Sequence, residues 1–269
     1  MKTKLGILFL IGLIGLSEAW PLDSYHKSDE QRRMGMLSEL GLPLPGSGIK
    51  LMPRAMLGLS KEQLESQAQA VEEMKTLGYT IENTDYPKEL LNMHREVKTQ
   101  RKLYAANLQE PASTHLRYNI KDLKLAFKFE GVQQNQQSAS SRRLLGSREI
   151  TLIGVVPQGS FHPEKGGWSG VAQFFDVKKI GSCSYGVMNV KASHTAAELA
   201  QEDVTYTVNN KATIISVQGS PNSGFIYKVE WFDLENFHEL DCANMTYSPK
   251  IKKLVIALAK DLDGFNVTS

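Results

Sequence analysis

The residues best suited to covalent chemistry lie late in the chain, around its only two cysteines, Cys183 and Cys242. A thiolate near a histidine is a strong nucleophile, and its partners need to be close only in space. Small residues surround Cys183, as expected for a nucleophile exposed on a turn. The possible bases and orienting carboxylates are His194 or His238, and Glu239 or Asp241. One interpretation is therefore a secreted cysteine hydrolase that uses Cys183 and His194.

Metal binding is a second chemistry to consider in this region. His238 and Cys242 are four residues apart, and Cys183 and His162 could join them. A zinc site needs three or four such ligands. However, the sequence between His238 and Cys242 matches no known zinc pattern, and the chain contains no HExxH motif. We therefore predict no metal and no cofactor.

Other catalytic motifs are missing or weak. The chain has no G-x-S-x-G elbow, no phosphate-binding loop with a lysine and no dinucleotide fingerprint. Four acidic residues lie near aromatic residues, a mixture found in carbohydrate-active sites: Asp233, Glu235, Glu239 and Asp241, beside Trp231, Phe232 and Phe237. Such clusters are usually solvated turns, and we interpret this one as a turn.

The N-terminus decides how the cysteines are interpreted. Lys2 and Lys4 precede an apolar run from Leu5 to Leu16, which small residues follow up to Ala19. This pattern predicts a signal peptide, residues 1–19, because the run is too short for a transmembrane anchor. The protein is then secreted, either periplasmic or extracellular. Cysteines pair in such oxidising surroundings, so we predict a disulfide between Cys183 and Cys242 rather than a nucleophile or two unpaired thiols.

Charge and hydropathy exclude two further classes. The net charge is only +2, and a dedicated nucleic-acid binder would carry a basic stripe with interleaved aromatic residues. No later stretch is long and apolar enough to span a bilayer, so we predict no transmembrane segment in the mature chain.

The first part of the chain, residues 20–110, has a helical pattern. Ser60 and Gln63 form a capping box that opens a helix, and a further helix is predicted from Pro87 to Leu108. The apolar side chains expected on the buried face of the first helix are Leu64, Ala68, Val71, Met74 and Leu77. We expect the two helices to pack as an antiparallel hairpin.

A segment rich in proline and glycine, residues 41–59, precedes these helices and is predicted to form no regular element. It is either a loop packed on the domain surface or a tether that docks on a partner through apolar side chains. The candidate docking residues are Leu42, Leu44, Ile49, Leu51, Met52 and Met56.

The second part, residues 111–269, has the alternating pattern of strands joined by short turns. A half-buried strand is predicted at Leu123–Phe129, a short helix at Ser193–Ala200 and a C-terminal helix from Ser248. The further predicted strands are Arg148–Val156, Gly170–Val177, Cys183–Lys191, Val204–Val208, Thr213–Gln218 and Phe225–Phe232. Strands preceded and followed by helices predict an α+β fold with a mainly antiparallel sheet.

One loop in this part is a candidate for binding. It runs from Phe161 to Trp168 and includes His162, so it either binds a ligand or forms a tight connection whose aromatic rings enter the core. Asn244 and Asn266 match the N-glycosylation pattern, which matters only in a eukaryotic host.

The absence of catalytic motifs favours a non-catalytic role. We expect an exported interaction or structural protein of the cell envelope, with protein partners there, such as a subunit or accessory of an envelope-spanning secretion assembly. The alternatives are the cysteine hydrolase and a carrier for a lipid or glycan. A carrier would require a deep cavity in the sheet domain.

Overall fold

The computed structural model describes residues 49–82, 85–99, 123–129, 142–145, 148–193, 197–233 and 235–264. These ranges contain three α-helices: α1 (Lys61–Thr76), α2 (Tyr86–Thr99) and α3 (Pro249–Gly264). The strands are β1 (Ile49–Met52), β2 (Thr80–Ile81), β3 (Arg142–Leu145), β4 (Arg148–His162), β5 (Gly167–Val177), β6 (Gly181–Asn189), β7 (Ala197–Ala200), β8 (Tyr206–Val208), β9 (Lys211–Ser220), β10 (Gly224–Phe232) and β11 (Asn236–Asn244). The predicted α+β fold is confirmed.

One large sheet organises the described residues, with the strand order β2-β9-β10-β11-β6-β5-β4-β3 and β8 paired to β9. Neighbouring strands in this sheet are antiparallel, except for β2, which runs parallel to β9. Several connections are hairpins, as the turn residues predict. Between β8 and β9, Asn209 and Asn210 have φ angles of 45° and 67°, which suit a tight two-residue turn.

The main core lies between this sheet and α3. Val255, Leu258 and Leu262 repeat at helical spacing and are buried against residues of the sheet. Helix α3 contacts β10 in the middle of the sheet as well as β3 and β8, which lie toward opposite edges. The sheet therefore curves around the helix, and its concave face holds the core.

Two smaller elements cover parts of the opposite face. Leu90 of α2 is buried against Phe174 and Ile226 at one end of the strands. At the other end, β1 and β7 form a separate parallel pair, and Ile49 packs against Phe232 and Phe237. Polar residues of β10 and β11 lie between these two apolar clusters.

Helix α1 differs from its prediction in how it packs. The capping box of Ser60 and Gln63 is present, with both reciprocal hydrogen bonds. However, Leu64, Val71 and Leu77 are 40%, 40% and 42% exposed, so the predicted buried face is wrong for these side chains. The predicted helical hairpin is also wrong, because β2 follows α1 and joins the large sheet, while α2 packs on β4, β6, β10 and β11.

Three segments have a different secondary structure from the prediction. Residues 123–129 form only an isolated parallel bridge, between Leu125 and Trp168, instead of a strand. Ala197–Ala200 is a strand rather than part of a helix, because it pairs with β1. The stretch 233–241, interpreted as a solvated turn, includes most of β11, whose side chains alternate between the two faces of the sheet.

The proline- and glycine-rich segment contains a regular element after all. Ile49–Met52 forms β1, and Met52 is fully buried. The side chains of Ile49 and Met52 therefore pack within the chain and are not presented to a partner. Leu51 and Met56 are half-buried, whereas Leu42 and Leu44 lie outside the described residues.

Candidate functional site

The two cysteines form a disulfide between neighbouring strands. Cys183 on β6 lies directly opposite Cys242 on β11, and both side chains are fully buried. The sulfur of Cys183 is therefore not available as a nucleophile, which argues against the cysteine hydrolase. His194 lies outside the described residues.

The carboxylates suggested for this chemistry lie on the wrong face of β11. Glu239 and Asp241 alternate with Leu240 and Cys242, so their side chains point away from the disulfide. His238 lies on the same face of β11 as Cys242, but its ring is hydrogen-bonded to Tyr185 and Asp233. Within the described ranges, no group of three or more His, Cys, Asp or Glu residues is arranged to hold a metal ion.

A pocket of about 480 Å³ opens at one end of the concave face, and we call it the mouth pocket. It lies where β6 and β10 end and where β9 and β11 begin, with residues 126–129 along one side. The residues that line it are Ala126, Phe127, Lys128, Phe129, Lys165, Val187, Asn189, Lys191, Ala192, Lys211, Asp233, Glu235, Asn236 and His238.

A hydrogen-bonded chain of three side chains connects the pocket to the core. Nδ1 of His238 lies 2.9 Å from the hydroxyl oxygen of Tyr185. Nε2 of the same ring lies 3.4 Å from Oδ2 of Asp233. Asp233 as a carboxylate can only accept, so in a neutral His238 Nε2 donates and Nδ1 accepts the Tyr185 proton. The His238 ring also stacks on Trp231, with 5.0 Å between ring centroids and planes 3° apart.

Asp233 is held as a carboxylate in this chain. Burial alone would raise the pKa of Asp233, but hydrogen bonds from His238 and from the backbone N–H groups of Glu235 and Asn236 outweigh it and lower the pKa well below its ordinary value. The side chain is 29% exposed, so its charge faces the pocket. Asp233 therefore contributes a fixed negative charge to the pocket wall.

Lysine side chains supply the opposite charge. Lys211 Nζ lies 2.6 Å from Asp263 Oδ1 and 3.6 Å from Asp233 Oδ2. Lys165 donates to the carbonyl oxygens of Lys191 and Ala192, which ties the tip of the β4–β5 hairpin to the segment after β6. Lys191 makes a solvent-exposed pair with Glu235 at 3.7 Å. Among the described residues that line the pocket are four lysines and two carboxylates, and the carboxylate of the buried Asp263 also lies against Lys211.

Charged and polar side chains make up most of the described part of the lining. Among the described residues that line the mouth pocket, none is Ser, Thr or Cys. The hydroxyl of Tyr185 is buried and hydrogen-bonded to His238. The described side chains of the lining therefore include charged groups, the amides of Asn189 and Asn236, the ring of His238 and the rings of Phe127 and Phe129.

The predicted binding loop is a tight hairpin connection. Phe161 pairs with Trp168 across the hairpin, their rings 5.4 Å apart, and Trp168 is buried against Val155 and Val171. His162 is half-buried and lies 3.2 Å from Glu164. The binding role of Phe161, His162 and Trp168 stays a prediction, and the burial of Trp168 speaks for the tight connection.

A second charged cluster lies on the opposite face, between α2 and the β1–β7 pair. Lys228 Nζ is 2.6 Å from Glu239, 3.7 Å from Asp241 and 3.9 Å from Glu230, and the Tyr86 hydroxyl donates to Asp241 Oδ2 at 2.6 Å. Burial raises the pKa of Asp241 to about 8 and of Glu230 to about 7, although Lys228 opposes both shifts. This cluster contributes to the docking of α2, as Tyr86 is its first residue.

One of the two predicted glycosylation sites lies within the described residues. Asn244 donates through Nδ2 to the carbonyl of Ile180 and accepts from Thr246, so its amide is engaged, while Asn266 lies outside the described residues. No helix in the described part of the chain is long and apolar enough to cross a membrane.

Comparison with known proteins adds nothing to this geometry. No protein-family model matches the chain, and no curated protein or solved structure matches it either. Function is therefore inferred from the residues and their arrangement.

Proposed function

We propose that the protein is an exported, non-catalytic binding protein that takes a small ligand into the mouth pocket. The observation that carries this proposal is the pocket itself. Its volume of about 480 Å³ lies within the usual range for small-molecule sites, and it opens at the mouth of a curved sheet, where such sites often occur. The rest of the concave face is filled by the packed core under α3.

The charged residues of the lining indicate which class of ligand the pocket can hold. A pocket for an acyl chain would be lined mainly by apolar side chains, whereas six of the fourteen described residues that line this pocket are charged. A polar or charged ligand fits it better than a lipid tail. A small glycan or another polar metabolite is compatible with the amides of Asn189 and Asn236.

Export is supported by two independent features. The first 19 residues have the pattern of a signal peptide, and a buried disulfide is typical of proteins that fold in an oxidising compartment. We therefore place the protein in the periplasm or outside the cell. Mass spectrometry of protein from its natural host should find Trp20 as the first residue, and an intact Met1 would contradict export.

A role with protein partners of the cell envelope, including a secretion assembly, stays a prediction. This role was suggested by the apolar side chains of residues 41–59, and two of these, Ile49 and Met52, are buried within the chain.

Ligand retention tests the binding role. Native mass spectrometry of protein purified from its natural host should detect one small molecule per chain. Ala126→Phe would place a ring in the pocket without removing the backbone hydrogen bond from Ala126 N to Trp168 O, and should abolish retention. Ala68→Phe on exposed α1 is the matched control and should retain the ligand. Equal retention by Ala126→Phe and Ala68→Phe would contradict the proposal.

A further inference from the structure

We propose that the docking of α2 on the sheet depends on pH: the helix stays docked while the buried carboxyl groups beneath it hold a proton, and it detaches locally when they ionise. The observation that carries this inference is the charged cluster of Lys228, Glu230, Glu239 and Asp241. The cluster lies on the opposite face of the sheet from the mouth pocket, so the inference is independent of the proposed ligand.

Three carboxyl groups share one ammonium group in this cluster. Lys228 Nζ lies 2.6 Å from Glu239 Oε1 and 3.7 Å from Asp241 Oδ2. Glu230, on the same strand as Lys228, has Oε1 at 3.9 Å from that ammonium group. The side chains of Asp241 and Glu230 are 2% and 5% exposed. Like charges that share a buried site cannot all ionise near neutral pH, so the docked cluster holds a proton.

Helix α2 is attached to this cluster through its first residue. The Tyr86 hydroxyl donates to Asp241 Oδ2 at 2.6 Å, whereas Oδ1 of the same carboxyl group is buried and has no hydrogen-bond partner among the described residues. An ionised Asp241 would therefore carry negative charge on a buried oxygen that no donor satisfies, which is costly. Movement of Tyr86 away from Asp241 lets water reach this oxygen and removes the cost.

The other contacts of α2 allow it to detach while the main core stays packed. Leu90 packs on Phe174 and Ile226 in a small cluster that is separate from the core under α3. Among the described side chains of α2, His94 makes a second titratable contact, with Nδ1 at 3.6 Å from Asp176 Oδ1. Elements with few buried apolar contacts open at lower cost than the core, and opening of α2 uncovers Phe174 and Ile226.

Two further carboxyl groups act on the cluster from neighbouring elements. Glu82, which follows β2, interacts with the ammonium group of Lys228. Asp203, which precedes β8, interacts with Glu230 and is itself paired with Arg54. Both add negative charge near a single ammonium group and so favour the form that holds a proton. The side chains opposite Asp241 and Lys228 on the flanking strands do not titrate: Ser184 on β6 and Ser216 on β9.

The direction of the pH effect follows from these surroundings. Burial raises the pKa of Asp241 to about 8 and that of Glu230 to about 7, although Lys228 opposes both shifts. Exposed carboxyl groups release their protons near pH 4, so the docked helix binds a proton that the detached helix does not. Docking is therefore strongest in acid and weakens as the pH rises to about 8, with the opening equilibrium changing about tenfold per pH unit for one proton.

Hydrogen exchange with mass spectrometry on the full chain tests this inference at pH 6 and pH 8, with rates corrected for the intrinsic pH dependence of exchange. The protection of Tyr86–Thr99 should fall at least about tenfold between the two values, since one proton over two pH units can change the opening up to about a hundredfold. At pH 8 these amides should exchange well before those of Pro249–Gly264. Equal protection of the two helices would show that α2 separates only when the whole fold unfolds, which would overturn the proposal.

Variants identify the groups that titrate. Asp241→Asn and Glu230→Gln each neutralise one of the three carboxyl groups, and in each the loss of α2 protection between pH 6 and pH 8 should be at least about threefold smaller than in the wild type. Glu72→Gln on exposed α1 is the matched control and should behave as the wild type does. A loss of protection that is equal in all four proteins would place the titration outside the cluster and contradict the proposal, as would α2 protection that does not change with pH.

Discussion

Replacement of Asp241 by asparagine should change how the stability of the protein depends on pH. Asp241 is buried, accepts the Tyr86 hydroxyl and shares the single ammonium of Lys228 with two other carboxylates. Burial raises its pKa to about 8, against roughly 4 in an unfolded chain. The folded protein therefore binds a proton here that the unfolded chain releases.

The sign and size of the effect follow from this difference. The stabilisation is fully present below the unfolded pKa and is lost as pH rises through the folded pKa, at about 1.4 kcal/mol per pH unit. Asparagine mimics the neutral side chain and does not titrate. The free energy of unfolding of the wild type minus that of Asp241→Asn should therefore fall by about 3 kcal/mol between pH 5 and pH 7.

Urea unfolding followed by tryptophan fluorescence at pH 5, 6, 7 and 8 measures this difference. Glu72→Gln, on the exposed surface of α1, is the control and should run parallel to the wild type. A difference that stays constant or grows with pH would show that Asp241 is not held in its protonated form by the fold.

Three further predictions concern the framework. Reduction of the disulfide should lower the free energy of unfolding by up to about 4 kcal/mol, because the disulfide closes a loop between residues that are 59 positions apart. Thiol titration before reduction should find no free thiol. Met52→Ala should destabilise by about 2–5 kcal/mol because Met52 is fully buried, whereas half-buried Met56→Ala should cost less than half as much; equal losses would contradict the placement of β1. Gly78→Ala should lower the melting temperature clearly more than Gly58→Ala, as both have positive φ but only at Gly78 would the added Cβ collide with Tyr247. Equal shifts for the two glycines would contradict that contact.

The strands of the sheet could be predicted largely because their patterns are local. Alternation of apolar residues places β4, β5, β6, β9 and β10, and turn residues such as Asn209 and Asn210 mark a hairpin between them. The C-terminal helix is equally clear from the spacing of its buried residues. In these segments local preference and tertiary packing agree.

The sequence was misleading where tertiary contacts override local preference. β11 carries two charged residues, Glu239 and Asp241, in a stretch rich in carboxylates, so it resembles a solvated turn. Both side chains face the half-buried Lys228 of the neighbouring strand. The alternation with Leu240 and Cys242 was the signal that could have revealed it. The pairing of β1 with β7 is parallel and joins residues far apart in the chain, which no local pattern indicates.

The mouth pocket could not be predicted for a related reason. Its lining runs from Ala126 to His238 along the chain. The strand order brings it together, because it places the ends of β6 and β10 beside the starts of β9 and β11. The sequence marks His238 as a candidate base for Cys183 and as a candidate metal ligand, whereas no pattern marks Tyr185 or Lys211 as functional. His238 and Lys211 line the pocket because their strands begin at the same end of the sheet.

The binding role of the mouth pocket is tested most directly by a crystal structure of the protein purified from its natural host without added ligand. We predict electron density for one small molecule in the pocket. A co-purified molecule bound elsewhere, or a pocket that holds only water in protein shown by mass spectrometry to carry no small molecule, would contradict the assignment.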